Sequence, residues 1–487
     1  MNYYKIRVFF TSFVLLLGIT ILPVKAQQRP IYNQLPPEIQ NILRRSHISP
    51  YGMSVYVQAI GSPRPLLAYN ENQARTPASV MKLVTSYVAL GVLGPRYRWP
   101  IDIFTTGKIQ AGRLRGDVYI KGYGSPDFET VDLRRLLNKL RRRGIHSIQG
   151  RLIFDNTYFN VPRINPGAFD GKPYSSYNAQ PDALLFNERI SYFTVSARGK
   201  RVVAKALTPA HNLIVKNKMR KVRRGCRPRI GISRSGGRVI VSFRGTFSSR
   251  CGTRTYSRAV TDPANMLYTA INGIWKDELK GYMNVKFGLG RTPNHAKKLV
   301  TYNSRTLAEI LPKLGKDSNN VIARQLMLSI GAKYYGAPGT PRKGAEAIGD
   351  WLRKRGLNFP ELRIENGSGL SRFARISAKH VSDLLMDAYR SPYRNLFMRS
   401  LSIAGVDGTM KRRLRHTPVS GRGFFKTGTL RDVRGVAGYV KAADGKTYIV
   451  SILHNDPRAS SRGRKSHDNL IKWVFWGGRK QNVARGY

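Results

Sequence analysis

The sequence feature that most constrains the fold is an apolar pattern that begins just after Ser79. Its members recur at three- and four-residue spacing and are Val80, Leu83, Val84, Tyr87 and Val88. This spacing is typical of a helix that buries one side. We therefore predict a helix that begins near Ser79 and packs inside the protein.

In such a helix Ser79 and Lys82 share a face, because they lie three residues apart. A serine hydroxyl is a weak nucleophile at neutral pH, and a lysine in a dry site loses proton affinity and can act as its base. The free N–H groups and the positive dipole end of the first turn favour negative charge at the same place. The alternative is that Ser79 caps the helix and Lys82 is solvated.

Two later stretches favour the catalytic interpretation. The first occupies a short break between two helical patterns, and the second lies in extended sequence: Ser318-Asn319-Asn320 and Lys426-Thr427-Gly428-Thr429. The series S-x-x-K, S-x-N and K-T-G, in this order, is the motif set of penicillin-binding proteins and serine β-lactamases. The sequence resembles this superfamily, because the ordered set is far harder to obtain by chance than any one tripeptide.

The spacing of the motifs predicts where additional modules lie. Ser318 follows Ser79 by 239 residues, and Lys426 follows Ser318 by 108 residues. The second interval is close to that of an uninterrupted catalytic domain of the superfamily, so the extra length lies in the first. There, residues 98–295 alternate short strand patterns with glycine turns, which predicts a β-rich insert of one or two modules.

Helical patterns return after residue 300, and Asp444-Gly445 is a strong hairpin signal between two late strands. Helices packed on an antiparallel sheet from both chain ends give an α+β, penicillin-binding/serine β-lactamase-like catalytic domain. We expect this domain to comprise an N-terminal part at residues 27–97 and a C-terminal part at residues 296–487. The insert separates the two parts.

A narrower resemblance covers essentially the whole mature chain. The sequence is similar to the low-molecular-mass class C penicillin-binding proteins, the D-alanyl-D-alanine carboxypeptidase/endopeptidase family, which carry a large insert between the first two motifs. Further matching stretches are LRGDVYI at residues 114–120, PDAL at 181–184, GSGLS at 367–371 and AGVDGT at 404–409. One departure, Gly124-Ser125-Pro126 in place of Gly-Asp-Pro, concerns the insert rather than the chemistry.

The resemblance implies acyl transfer on peptidoglycan stem peptides that end in D-Ala-D-Ala, and binding of β-lactam antibiotics. It implies that Ser79 attacks the penultimate carbonyl, that Lys82 takes its proton and that Ser318 passes a proton to the leaving amine. The N–H groups of Ser79 and Thr429 are the implied oxyanion donors. A capping role for Ser318 in the following helix is compatible with this role.

The resemblance also implies a substrate-binding set, namely Asn320, Lys426, Thr427, Gly428 and Thr429. Asn320 is expected to contact Lys82 and the substrate amide, and Lys426 with the two threonines suits a terminal carboxylate. Gly428 is expected to let the substrate backbone approach the strand closely. The histidines are scattered and show no metal-binding spacing, so we expect neither a metal nor a cofactor.

The N-terminus predicts export. An apolar run from Val8 to Leu22 follows two basic residues and precedes Val24-Lys25-Ala26, which suits a signal peptide over residues 1–26. The run has 15 residues, against the roughly 20 that a bilayer-spanning helix needs, which disfavours the alternative of a membrane anchor. We expect a periplasmic or other extracytoplasmic protein that is soluble or peripheral.

The two cysteines fit this compartment. Cys226 and Cys251 lie in the same polar, strand-like region. An even number of cysteines in an oxidising environment indicates disulfide bonding. We therefore predict one disulfide between them.

The net charge is extreme, with 84 basic and 27 acidic residues and a formal value of +57. In a cytoplasmic protein this charge would indicate nucleic acid, but export argues against that partner. We expect electrostatic association with anionic envelope polymers or a membrane surface, weakened by salt. The alternative is a solvated basic surface, and leucines at helical spacing within residues 133–140 indicate such a face.

Other functions stay open at this point. A class A β-lactamase places a glutamate between the second and third motifs, and Glu361 and Glu365 lie in that interval, although neither stretch resembles the required loop. A non-catalytic, cationic envelope-binding protein could use a retired enzyme fold. Carboxypeptidase and endopeptidase activities need the same groups, so the choice between them depends on what the insert leaves open.

Overall fold

The computed structural model describes residues 31–479, so the predicted signal peptide lies outside the described residues. Within that range the chain forms eleven α-helices: α1 (Pro37–Arg45), α2 (Lys82–Val92), α3 (Thr130–Arg141), α4 (Pro263–Gly273), α5 (Leu307–Lys316), α6 (Asn320–Tyr335), α7 (Pro341–Lys354), α8 (Ala378–Arg390), α9 (Arg394–Ser400), α10 (Ala459–Arg462) and α11 (Arg464–Phe475). None of the helices among these residues is long and apolar enough to cross a bilayer.

The strands of the described range are β1 (Met53–Ala59), β2 (Leu67–Tyr69), β3 (Pro100–Thr105), β4 (Lys108–Gln110), β5 (Arg113–Arg115), β6 (Val118–Gly122), β7 (Ser147–Ile148), β8 (Leu152–Asp155), β9 (Ser191–Arg198), β10 (Arg201–Ala206), β11 (Leu213–Lys221), β12 (Cys226–Ser235), β13 (Arg238–Phe247), β14 (Arg254–Arg258), β15 (Tyr282–Met283), β16 (Phe287–Leu289), β17 (Lys297–Asn303), β18 (Ser402–Ile403), β19 (Gly423–Leu430), β20 (Val433–Lys441) and β21 (Thr447–Asn455). They form five separate sheets.

The central sheet joins the two ends of the chain. Its six strands run antiparallel in the order β18-β19-β20-β21-β1-β2. The N-terminal strand β1 pairs with β21 over its full length, so that Ser54 lies opposite Leu453. The predicted antiparallel sheet built from both chain ends is therefore confirmed.

Each face of the central sheet carries its own hydrophobic core, because successive side chains of a strand point to opposite faces. In β21, Ile449 and Leu453 pack with α2, α5, α6, α7 and α8. Val450 and Ile452 face the other way and pack against α1 and α11. Each such buried aliphatic side chain stabilises the fold by about 1.5–3 kcal/mol. The resulting layers of helix, sheet and helix confirm the predicted α+β class.

The chain between α2 and α5 is rich in strands, as predicted, and it contains two hydrophobic cores of its own. The first core lies among α3, α4 and two sheets, ordered β16-β8-β6-β3-β17 and β15-β7-β5-β4. Leu136 and Leu137 of α3 and Trp275 after α4 are buried in it. The strand β17, which pairs with β3, comes from just beyond residue 295.

The second core of this region lies between two three-stranded sheets, β10-β9-β14 and β11-β13-β12. Phe193 of β9 and Phe243 of β13 meet there with ring centroids 5.7 Å apart. The predicted disulfide is present and joins Cys226, at the start of β12, to Cys251 in the turn after β13. It closes a loop of 25 residues around β12 and β13.

Candidate active site

Ser79 lies in a tight 3₁₀ turn, Ala78–Met81, that leads into α2. The predicted helix is present, although its α-helical part begins at Lys82. Ala78 has a φ of +48°, in the left-handed region where a side chain costs energy. The backbone of Gly369 packs on the Ala78 carbonyl and leaves no room for a Cβ atom. The turn therefore holds Ser79 in a constrained, half-buried position.

Lys82 is completely buried at the start of a helix whose residues 82–90 are all buried. Its Nζ atom lies 2.9 Å from Ser79 Oγ. It also lies 2.7 Å from Asn320 Oδ1 and 2.7 Å from the carbonyl oxygen of Ser368. The first two motifs are thus brought together around one amine.

The surroundings of Lys82 favour its neutral form. Burial lowers the pKa of Lys82 well below its ordinary value, and the positive charges of Lys426 and Arg324 lower it further. A neutral amine has a free lone pair, and this one lies within hydrogen-bonding distance of Ser79 Oγ. The arrangement can therefore remove the hydroxyl proton when the serine attacks.

The second motif lies in the break between α5 and α6, as predicted. Ser318 has a left-handed φ of +57°, and its Oγ lies 2.8 Å from Lys426 Nζ. The helix cap is Asn319 and not Ser318, because the extended backbone of Asn319 lets its Oδ1 accept from the N–H of Ile322 at 3.0 Å. Asn320 then begins α6 and faces Lys82.

The third motif lies on β19. Lys426 is buried, and its Nζ lies 2.8 Å from Ser318 Oγ and 2.9 Å from the carbonyl oxygen of Thr427. Burial lowers the pKa of Lys426 to about 7. No carboxylate within residues 31–479 forms an ion pair with this amine. An anion placed beside it would restore its charge.

The strand edge at residues 427–429 is open. On one side β19 pairs with β20 along its whole length, whereas on the other side β18 pairs only with Phe424 and Phe425. No other strand in the described part of the chain pairs with this edge. Thr429 is exposed there, and Thr427 Oγ1 donates to Thr409 Oγ1 at 2.8 Å. An open edge can hydrogen-bond an extended peptide.

Gly428 packs against the turn that carries the serine. A Cβ atom at this position would lie 2.6 Å from the carbonyl oxygen of Pro77 and 2.9 Å from the amide nitrogen of Ser79. Gly428 is also the predicted point of close approach for the substrate backbone, and the atoms that crowd it in the structure belong to the Ser79 turn. Its small size thus allows β19 and the Ser79 turn to lie side by side.

We expect Gly428→Ala to slow acylation of Ser79 by penicillin about 100-fold, because the turn must move by a few tenths of an ångström or more. The rate of labelling by a fluorescent penicillin measures this effect. Gly288→Ala is the matched control, since Gly288 also lies in a strand and a Cβ there meets nothing within 4 Å. Equal rates for the two variants would contradict the packing argument.

Other groups at the site are not marked as functional by the sequence motifs. Gly367 and Gly369, with φ of +69° and +75°, shape the turn that aims the Ser368 carbonyl at Lys82. The GSGLS match at residues 367–371 identified this turn as similar to the family, but it did not predict the contact of the Ser368 carbonyl with Lys82. Arg324 lies one helical turn after Asn320, a spacing that could have identified it.

A segment of the insert region contacts the helix that carries the second motif. Asn320 Nδ2 donates to the carbonyl oxygen of Tyr177 at 3.2 Å. Arg324 Nη1 donates to the carbonyl oxygen of Ala179 at 2.7 Å. Residues 177–179 therefore lie beside the second motif.

The site contains two serine–lysine pairs. Ser79 pairs with Lys82 where the turn enters α2, and Ser318, just before α6, pairs with Lys426 of β19. Together they define an acyl-transferring serine enzyme with a penicillin-binding fold. Residues 35–474 match the D-Ala-D-Ala carboxypeptidase 3 (S13) family. Because this match spans nearly the whole chain, the protein belongs to that family. The predicted membership of the low-molecular-mass class C penicillin-binding proteins is confirmed.

Known proteins agree with this assignment. The D-alanyl-D-alanine carboxypeptidase of Actinomadura sp. is 29% identical over 446 residues, covering 87% of this chain and 81% of that protein. The crystal structure of penicillin binding protein 4 from Haemophilus influenzae matches with a TM-score of 0.76 at 23% identity, over 90% of this chain and 99% of that chain. A predatory peptidoglycan endopeptidase from Bdellovibrio bacteriovorus matches with a TM-score of 0.50 at 15% identity, over 86% and 90%.

Family membership gives the chemical class of the protein. It is a serine peptidase of the D-Ala-D-Ala carboxypeptidase type. Its substrate is peptidoglycan, which lies outside the cytoplasm, so the protein acts there.

Proposed function

We propose that the protein removes the terminal D-alanine from peptidoglycan stem peptides through an acyl-enzyme on Ser79. The 2.9 Å contact between Lys82 Nζ and Ser79 Oγ carries this proposal. It joins a nucleophile to a base whose pKa is lowered by burial. β-Lactam antibiotics acylate the same serine.

In the first step Ser79 Oγ attacks the carbonyl carbon of the penultimate D-alanine, and Lys82 takes the hydroxyl proton. The carbonyl oxygen becomes an oxyanion, which accepts hydrogen bonds from the N–H groups of Ser79 and Thr429. The close packing of Gly428 on the Ser79 amide supports this pairing of donors, because it places the turn beside β19.

The peptide C–N bond then breaks, and the leaving amine takes a proton through Ser318. Lys426 supplies this route, since its Nζ lies 2.8 Å from Ser318 Oγ. D-Alanine departs and leaves the peptide as an ester on Ser79. Lys82 then releases the proton from the first step to solvent, and Lys426 regains one from solvent. Water attacks the ester carbonyl and gives a proton to Lys82, which passes it to Ser79 Oγ as the ester bond breaks, so that the peptide leaves as a carboxylic acid and the hydroxyl of Ser79 is restored.

The terminal carboxylate of the substrate is assigned to Lys426, Thr427 and Thr429. The two hydroxyls and the amine supply donors along an open strand edge. Asn320 is assigned to the substrate amide as well as to Lys82, with the latter contact at 2.7 Å. A free carboxylate at this position distinguishes the end of a peptide from its interior.

The pKa of Lys426 predicts the pH dependence of substrate binding. In the empty site the pKa is about 7, and a bound carboxylate raises it because opposite charge favours the protonated amine. Above pH 7 binding must therefore take up a proton, and we expect KM to rise toward tenfold per pH unit. A substrate with a C-terminal amide is the control, and its KM should stay flat. Parallel pH profiles for the two substrates would contradict the assignment.

The direct test of the proposed reaction is release of D-alanine by purified residues 27–487. The substrate is a peptide that ends in L-Lys-D-Ala-D-Ala, and the same peptide ending in L-alanine is the control. We expect release from the first peptide alone. Absence of release from both, with no covalent penicillin adduct, would refute the proposal.

We propose cleavage of D-alanyl cross-links as a second activity. The fold shared with a peptidoglycan endopeptidase supports it, as does the hydrogen bond from Asn320 Nδ2 to the carbonyl oxygen of Tyr177, a residue of the insert beside the second motif. Digestion of cross-linked muropeptide dimers to monomers tests this activity. Dimers that persist while D-alanine is released would restrict the enzyme to carboxypeptidase action.

The β-lactamase alternative finds little support in the position of its candidate glutamates. The carboxylate of Glu361 accepts from the N–H of Ser377 at 2.8 Å and contacts His380 Nδ1 at 2.7 Å. It is thus engaged at the start of α8. Glu365 is exposed. Slow loss of bound penicillin from Ser79 is the expected behaviour, and rapid turnover would favour the lactamase.

We further propose that residues 1–26 are removed on export and that the mature protein is periplasmic, either soluble or peripheral. The net charge of the full sequence, +57, supports electrostatic association with anionic material of the envelope. The division into a catalytic domain, at residues 27–97 and 296–487, and an insert at residues 98–295 belongs to the same proposal. Limited proteolysis of the mature chain tests these boundaries.

A further inference from the structure

One part of the insert region concentrates positive charge without any compensation. Residues 191–261 contain 18 lysines and arginines and no aspartate or glutamate. None of these cations forms an ion pair with a carboxylate in the range that the structure describes. A solvated basic face elsewhere in the protein is different, because Arg134 of α3, for example, pairs with Glu278.

The strand register gathers six of these cations on one face of the β11-β13-β12 sheet. Phe243 of β13 points into the core, so its neighbour Arg244 points outward. Lys218 of β11 lies directly opposite Arg244 on one side, and Arg229 of β12 lies opposite it on the other. The outward-facing cations, here called the arginine face, are Lys216, Lys218, Arg220, Arg227, Arg229 and Arg244.

Like charges directly opposite each other destabilise a sheet. Neighbouring strands are about 4.8 Å apart, so the row of Lys218, Arg244 and Arg229 places three cations at close spacing. Side chains on an open face can splay apart into water, but a bound anion removes the repulsion more fully. A bound anion would therefore stabilise this face by reducing the repulsion among its cations.

The arginine face is also concave. A groove of about 700 Å³ is lined by Arg220, Arg227, Arg229 and Arg244, together with hydroxyls of Ser242 and Thr246. Gly231 leaves its floor open, since a Cβ there would meet no atom within 4 Å. Guanidinium groups bind phosphate oxygens in pairs, and hydroxyl groups add further donors.

We propose that the arginine face binds an anionic polymer of the envelope that carries repeated phosphate groups. The proposal gives a location and a ligand class to the electrostatic association proposed above, and it rests on that association. It does not depend on the reaction at Ser79. A groove with several spaced guanidinium groups fits a flexible chain of phosphates better than a flat surface.

A phospholipid bilayer fits this face less well. Proteins that lie on membranes insert aromatic and large aliphatic side chains at the interface. The register gives the arginine face no aromatic residue, and the larger apolar residues on this face or lining its groove are Ile214, Ile230, Ile232 and Ile240, all half-buried. The surface therefore offers charged groups and hydrogen-bond donors, but few apolar side chains that could insert into a bilayer.

The test uses purified residues 27–487 and long-chain sodium polyphosphate as the probe, with Kd measured by calorimetry at several NaCl concentrations. We expect R229Q/R244Q to weaken binding at least tenfold. We also expect the slope of log Kd against log salt to fall by about 2, roughly one for each phosphate contact removed. The matched control is R44Q/R45Q, which removes the same charge from exposed positions on α1, and its Kd should stay close to that of the unaltered protein.

The outcomes separate the two levels of the proposal. Equal weakening by both double variants would overturn the arginine face while leaving general electrostatic association intact. No salt-dependent binding by the unaltered protein would overturn both. Loss of binding to phosphatidylglycerol vesicles in R229Q/R244Q, with polyphosphate binding unchanged, would assign the face to a membrane instead. Penicillin labelling, measured in parallel, should be the same for all variants and reports separately on the acyl-transfer reaction.

Discussion

Ser79→Ala is expected to abolish covalent labelling by a fluorescent penicillin and to lower D-alanine release by a factor on the order of 10⁶. The loss is this large because no acyl-enzyme can form without the hydroxyl group. Lys82 and the oxyanion donors then have no reacting atom to act on. Gel fluorescence measures the adduct, and coupled detection of D-alanine measures the reaction.

Ser86→Ala is the matched control for this variant. Ser86 lies one helical turn after Lys82 in the same buried helix, so its replacement tests the tolerance of α2 without touching the reaction. We expect it to be labelled like the unaltered protein. If Ser79→Ala were labelled equally well, another residue would be the nucleophile. Absence of label in the unaltered protein would instead favour non-catalytic envelope binding.

The second large effect is expected for Lys82→Gln, which should slow acylation by about 10²–10⁴-fold. Glutamine can still donate to Asn320 Oδ1 and to the Ser368 carbonyl, so it preserves part of the hydrogen bonding. It cannot accept the proton of Ser79. The second-order rate constant for penicillin acylation measures the loss.

The stability of Lys82→Gln separates catalysis from folding. The pKa of Lys82 is lower in the folded protein than its ordinary value of 10.5, so its protonation opposes folding at low and neutral pH. This cost fades as the pH rises toward 10.5. We therefore expect the variant to have an equal or higher Tm at neutral pH. Lys333→Gln, on the exposed side of α6, is the control, and a similar slowing in both variants would contradict the role of Lys82.

The parts of the site that could be predicted are those that have local geometry or belong to the ordered motif set. Ser79 and Lys82 lie three residues apart at a helix start, and the motif order brought Ser318 and Lys426 into the same hypothesis. The structure places these groups within hydrogen-bonding distance. Whether they perform the assigned steps is what the variants test.

Contacts between distant segments could not be predicted from the sequence pattern. The carbonyl of Ser368 reaches Lys82 across 286 residues of chain, and a backbone carbonyl has no residue-type signature. The sequence could not show which residue caps α6, because Ser318 and Asn319 are both good capping residues. The backbone decides it: Ser318 has a left-handed φ, whereas Asn319 is extended and caps the helix. Gly428 could be identified as a close-packing position, but only the coordinates show that it packs against the Ser79 turn.

The separation of the insert into two cores was left open for a similar reason. Short strands with glycine turns predict sheets, but they do not say which sheets share a core. Phe193 and Phe243 meet across two sheets, a contact that no local pattern records. The disulfide could be predicted from the sequence, because the chain has only two cysteines and export favours their oxidation.

The pairing of the two chain ends in the central sheet also bears on when the site can form. The pairing of β1 with β21 joins Ser54 to Leu453, residues 399 positions apart. Contacts at such separation form late, whereas the insert contains its own nearer pairings. In a chain that crosses a membrane from its N-terminus, the insert emerges whole while β19 to β21 are still inside. The site around Ser79 is therefore incomplete until Lys426 of β19 has been translocated. We expect a partly translocated chain to react with neither substrate nor penicillin before that point.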